Sequence, residues 1–166
     1  MSVYVVDSNF FIQAHRMYYL LDVVFSFWEK VKQLAEAGKI ISVDKVKQEI
    51  YQNEDALKTW CDDNLPPDFF KDTQPVIASY RNIVTWAASK GSHYTPNAIA
   101  EFLEADEADA WIIAFGHAKL NDRTIVTYES SEPQRKNKIK IPDVCIAHGF
   151  ECVDTIGMFR KLGEGF

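Results

Sequence analysis

Apolar residues along the chain follow two rhythms. At residues 3–6 (VYVV), 39–42 (KIIS) and 124–127 (TIVT) they stand in short consecutive runs, as in strands covered on both faces, and weaker runs lie at 139–141 and 151–153. Between the runs they recur at helical spacing. From about 22 to 37, Val24, Phe27, Trp28, Val31 and Leu34 make one stripe that Gly38 stops. Ser42 is placed to cap a helix through Val46 and Ile50, Pro66-Pro67 forces a break, and helical segments follow near 75–90 and 96–120. Strands alternating with helices predict an α/β fold with a parallel sheet wrapped by helices.

Length and composition narrow the class. With 166 residues the chain fits a single domain, 1–166, large enough to bury a core without disulfide or metal staples. It has no 18-residue uncharged apolar span, and its first residues lack a basic region followed by an apolar stretch and a small-residue cleavage site. A soluble, cytoplasmic protein with no membrane partner is expected. Cys61, Cys145 and Cys152 form an odd set without a CxxC pair, so reduced, partly buried thiols are expected. The four tryptophans and eleven phenylalanines fall at helix-compatible positions and read as core. A net charge of −6 argues against a nucleic-acid binder held by global electrostatics. A local basic run, Arg135, Lys136, Lys138 and Lys140, fits either a nucleic-acid contact or a solvated loop.

Candidate chemistry enters through acids at positions that should face inward. The run VYVVDSN ends on Asp7, at the C-terminal edge of a buried strand, where ligands collect in open α/β sheets. Glu49 lies beside the Val46/Ile50 stripe. Asp109 precedes Ile112 and Ile113 by three and four residues and shares their face, with Asp106 about one turn further back. In TIVTYE another apolar strand ends, at Thr127, and Glu129 follows. Clustered inward carboxylates repel one another and resist burial, so they need cations or raised pKa values. A divalent metal meets that need, and all-oxygen ligation suits Mg²⁺ or Mn²⁺ and phosphodiester hydrolysis.

A purely structural account competes at several of these positions. Asp106, Glu107 and Asp109 also suit the start of a helix through its macrodipole, and Glu49 equally suits a solvated position. Asp7 resists that account, because an acid at a strand end has no dipole reason to be there. His15, His93, His117 and His148 show no HxH or HExxH spacing and read as surface or satisfied core histidines. No GxSxG, GxxxxGK[ST] or GxGxxG pattern is present.

VYVVDSN, Glu49 in SVDKVKQEI, Asp109 in DAWIIA and Glu129 in VTYE, in this order, resemble the acidic motifs of the PIN-domain ribonucleases, the family of the VapC-type toxins. The later IKIPDVC (139–145) is similar to a stretch carried by one PIN-like subfamily. The resemblance spans nearly the whole chain. It implies a three-layer α/β/α sandwich with a central parallel sheet, and a Mg²⁺- or Mn²⁺-dependent endoribonuclease, the toxin of a toxin–antitoxin pair. Asp7, Glu49 and Asp109 would then be metal ligands with Glu129 completing the site, and Asp106 would serve a second shell or second metal. Ser8, Asn9 and Thr127 would orient those carboxylates, and Arg135, Lys136, Lys138 and Lys140 would meet RNA. An antitoxin protein and a second copy of the chain are the implied partners. The chain departs from the family pattern at Glu129, where an Asp is usual, which leaves Asp143 as an alternative ligand.

Two other functions fit parts of the pattern. A non-catalytic PIN-like binding module is favoured by Glu129 in place of Asp. A phosphatase of the haloacid dehalogenase type also has a strand ending in Asp, but it needs a second Asp two residues on, where this chain has Asn9.

Overall fold

The computed structural model describes residues 2–166. Its centre is a parallel sheet of β1 (Val3–Val6), β2 (Ile40–Val43), β3 (Phe70–Lys71) and β4 (Arg123–Val126), in the order β3-β2-β1-β4. Tyr4 pairs with Ile40 on one side and with Thr124 on the other, which places β1 inside the sheet. From β1 to β3 the chain steps steadily outward, and then it returns past β1 to β4. Right-handed crossovers therefore put the long helix between β1 and β2 on one face and the helices between β3 and β4 on the other. The result is a three-layer α/β/α sandwich.

On the first face α2 (Phe25–Glu36) buries Phe27, Trp28, Val31, Leu34 and Ala35 and ends before Gly38, whose φ of +71° suits a residue without Cβ. On the other face α7 (Ala108–Ala118) is buried almost all round. A Cβ at Gly116 would come within 2.8 Å of Ile125 Cδ1, so the glycine lets α7 settle onto β4. The buried apolar residues run from Tyr4 to Phe159 as one cluster, with Phe10, Phe11, Phe27 and Phe69 fully enclosed.

Several elements differ from the sequence pattern. A helix, α1 (Ser8–Gln13), begins directly after Asp7 and continues as a π-helical turn at Ala14–Tyr18. Ser42 does not cap α3 (Asp44–Tyr51): it lies in β2, and its hydroxyl donates to Val6 O at 2.6 Å, tying β2 to β1. β3 follows Pro66-Pro67 after α4 (Ala56–Asn64) and was hidden by its two-residue length. Beyond it comes α5 (Ile77–Ala88).

The segment 96–120 is two helices, α6 (Pro96–Phe102) and α7. Asp106 therefore lies in the turn between them, exposed, and not one helical turn behind Asp109. Residues 139–141 are not a strand, because Pro142 occupies the first turn of α8 (Ile141–Ala147), a position that suits a residue without N–H. Residues 151–153 follow β4 only at the single bridge of Val153 with Val126. The last helix, α9 (Thr155–Leu162), is capped by Asp154.

Candidate functional site

The C-terminal ends of β1 and β4 are laced together by polar groups. Asp7 N–H donates to Val126 O at 3.2 Å, continuing the β1–β4 pairing by one residue. The Asp7 carboxylate accepts from Phe10 N–H at 3.0 Å through Oδ1 and from the Thr127 hydroxyl at 2.7 Å through Oδ2. Thr127 Oγ1 in turn accepts Glu129 N–H at 3.1 Å. Asp7 thus has a structural role that its place at a strand end concealed: it caps α1.

Capping alone does not account for its electrostatics. Asp7 is 3% exposed. Burial pushes its carboxyl up from 3.8 to about 7, against the bonds from Thr127 and Phe10 that favour the charge and with the charges of Glu129 and Glu49 against it. Asp109, half-buried in the first turn of α7, is held well above the usual carboxylate range by burial and then by Glu129, Glu107 and Asp7, with Lys138 opposing. Glu107, at the N-cap of α7, is raised by burial and then by Glu49; Asp109 N–H and Lys138 favour its charge. Five acids from four stretches of chain are therefore linked by mutual repulsion: Asp7, Glu49, Glu107, Asp109 and Glu129.

Lys138 is the cation among them. Its Nζ stands 3.9 Å from Glu129 Oε1. It also lines a narrow cleft with Glu101, Phe102, Glu107, Asp109 and Ile139. Glu129 Oε2 accepts Ile141 N–H at 2.7 Å, which fastens the start of α8 over the site.

The sequence candidates divide accordingly. Asp7 lies within electrostatic reach of Glu49, Asp109 and Glu129, and Thr127 bonds both to its carboxylate and to Glu129 N–H. Ser8 is buried on α1, and Asn9 borders an open cleft of about 360 Å³ with Gln13, Glu129, Arg135 and Lys140. Asp106 stands apart, and Glu107, which reads from sequence only as a helix-start acid, holds the inward place. Asp143 is turned to the neighbouring loop, where it accepts from Ser131 Oγ at 2.5 Å and Glu132 N–H at 3.0 Å.

The basic run is partly self-neutralised. Arg135 and Lys140 pair with Glu132 at 3.0 and 2.9 Å, and Lys136 is exposed. Among the histidines, ring Nδ1 of His15 and of His117 has no hydrogen-bond partner within the protein. Burial and the neighbouring His148 lower the His117 pKa.

All-oxygen donors under mutual repulsion suit a hard divalent cation. Among the described residues, however, no three Asp, Glu, His or Cys side chains converge as a ready-made shell for a metal ion. Glu49, Glu107 and Asp109 are half-buried. Among the described residues no helix is long and apolar enough to cross a membrane.

A parallel α/β sandwich with an acidic cluster over the ends of two neighbouring strands defines the class. The chain belongs to the family described as a domain of unknown function, DUF4411, whose model matches residues 4–166. Neither the curated proteins nor the solved structures contain a match to it.

Proposed function

We propose that this protein is a metal-dependent endoribonuclease of the PIN type. The observation that carries the proposal is the shared field of Asp7, Glu49, Glu107, Asp109 and Glu129, opposed by one lysine, with Asp7 and Asp109 both resisting ionisation. Carboxyls whose pKa values are raised by burial and by neighbouring acids collect at functional sites, where a bound cation relieves the repulsion. Asp7, Glu49, Asp109 and Glu129, with Glu107 in place of Asp106, would hold Mg²⁺ or Mn²⁺. That ion would orient a phosphodiester, activate a water and stabilise charge on the leaving oxygen.

The chain's own groups prepare the site. Thr127 and Phe10 N–H hold the Asp7 carboxylate in one orientation, as hydrogen bonds to a ligating group do. Arg135 and Lys140 line the open cleft beside Glu129, where phosphates of an RNA strand would lie. The resemblance to VapC-type toxins adds the role of toxin, with an antitoxin segment covering the cleft. RNA cleavage with Mn²⁺, with EDTA and by Asp7→Asn tests the proposal. Cleavage is expected with Mn²⁺ alone, and Asp7→Asn should lower it on the order of 100-fold. Equal cleavage by both proteins removes Asp7 from the mechanism.

A second reading, a non-catalytic binding module of the same fold, is favoured by Glu129 being engaged with Ile141 N–H and by the lack of a converged shell. Calorimetric titration with Mn²⁺ separates the two. The nuclease should give a saturable binding heat and gain thermal stability, whereas the module should show little of either.

A further inference from the structure

The sulfurs of Cys145 and Cys152 stand 3.1 Å apart, closer than ordinary van der Waals contact, although all three cysteines are free. Their surroundings differ in a way that assigns them separate parts. Cys145 is wholly buried on α8, and Cys152 is half-buried. Cys152 also lines a cleft of about 370 Å³ with Thr127, Tyr128, Glu129, Pro142 and Ile146, open to small solutes. One sulfur is thus reachable from solvent and the other waits behind it. An accessible thiol with a second thiol in contact behind it has the geometry in which an oxidised sulfur can be resolved as a disulfide.

We propose that Cys145 and Cys152 are a redox site that a peroxide oxidant converts to a disulfide. In the first step Cys152 sulfur attacks one peroxide oxygen. The O–O bond breaks, an S–O bond forms, and the departing hydroxide takes the Cys152 thiol proton and leaves as water, so Cys152 becomes a sulfenic acid. Cys145 sulfur then attacks Cys152 sulfur; the S–O bond breaks, the S–S bond forms, and the departing hydroxyl takes the Cys145 proton and leaves as a second water. Two thiols lose two electrons and the peroxide gains them. The sulfurs need close by only about 1 Å to reach bonding distance.

Burial, followed by the Cys152 sulfur, pushes the Cys145 thiol far above its ordinary range, consistent with Cys152 attacking first. The bond would clip α8 to the segment that carries Val153. Both flank the acidic site, α8 through Ile141 N–H on Glu129 and the segment through Thr127 N–H on Val153 O at 3.0 Å. Cys61, buried on α4 with its thiol also pushed up, to about 12, serves as the internal control.

The test uses the intact chain treated with hydrogen peroxide, then alkylated unfolded and mapped by mass spectrometry, without metal or RNA. The expected result is one linked peptide pair joining Cys145 to Cys152, with Cys61 still alkylated and the link removed by dithiothreitol. Cys61→Ser should give the same link, and Cys145→Ser should stop at an oxidised Cys152. Full alkylation of Cys145 and Cys152 after treatment overturns the proposal, as does cross-linking between chains in place of the internal link. Neither result bears on RNA cleavage, so this inference and the nuclease reading fail separately.

Discussion

Replacing Asp7 by Asn should stabilise the metal-free protein, and by more at higher pH. The unfolded chain ionises Asp7 near 3.8, whereas the folded protein holds the proton to about 7. Between those values the folded state carries the extra proton, so stability falls as pH rises through the window and stays low above it. The full penalty is about three pKa units, on the order of 4 kcal/mol at pH 8, and about 2 kcal/mol is already present at pH 5. Asn has no charge to desolvate, caps a helix as well as Asp does and keeps an oxygen for Phe10 N–H. Urea unfolding of both proteins at pH 5 and pH 8, each with EDTA, measures the difference. The gain of Asp7→Asn over wild type should roughly double between the two. Added Mn²⁺ should raise wild type at pH 8 and leave the variant unchanged. A variant no more stable than wild type at pH 8 would refute the reasoning, for it would mean that Asp7 is charged at little cost.

Other substitutions probe the neighbours of Asp7. Thr127→Val removes the hydroxyl bond that favours the Asp7 charge, so the carboxyl should titrate above its wild-type value, as read by NMR of a labelled Asp7; an unchanged midpoint would show that the bond carries no weight. Glu107→Gln should weaken Mn²⁺ binding about 10-fold in calorimetry. Asp106→Asn, in the exposed turn, should leave it as it is, and equal effects of the two would undo the assignment of Glu107. Gly116→Ala forces a methyl against enclosed Ile125 and should cost about 1–3 kcal/mol in urea unfolding. Ser42→Ala leaves Val6 O without its buried donor and should cost about 1–3 kcal/mol by the same measurement.

Long periodic segments were legible without coordinates. The α2 stripe, its stop at Gly38, the buried β1 run and the parallel α/β class all follow from side-chain periodicity, because burial on one or both faces selects apolar residues at fixed intervals. So did the inward lean of Glu49 beside Val46 and Ile50. Features set by a few residues were not. β3 has two residues and no periodicity to display, and IKIP reads as a strand until Pro142 is seen to occupy a helix's first turn. Ser42 has the chemistry of a helix cap, yet the sheet engages its hydroxyl at Val6 O.

What the sequence determined alone is therefore the layering of the molecule and the positions where an acid interrupts an apolar pattern. Which acids share a field was decided by the tertiary structure. Asp106 and Glu107 are neighbours in the chain and alike in chemistry, but a turn before α7 leaves one in solvent and sets the other beside Glu49 and Asp109. Asp143 lies in the first turn of α8 and Glu129 bonds to its start, and the loop at Ser131 captures one while Ile141 N–H and Lys138 hold the other at the strand end. Periodicity reports which side of an element is covered; the Coulomb interaction depends on distance through space, and only packing brings residues 7, 49, 109 and 129 within its reach.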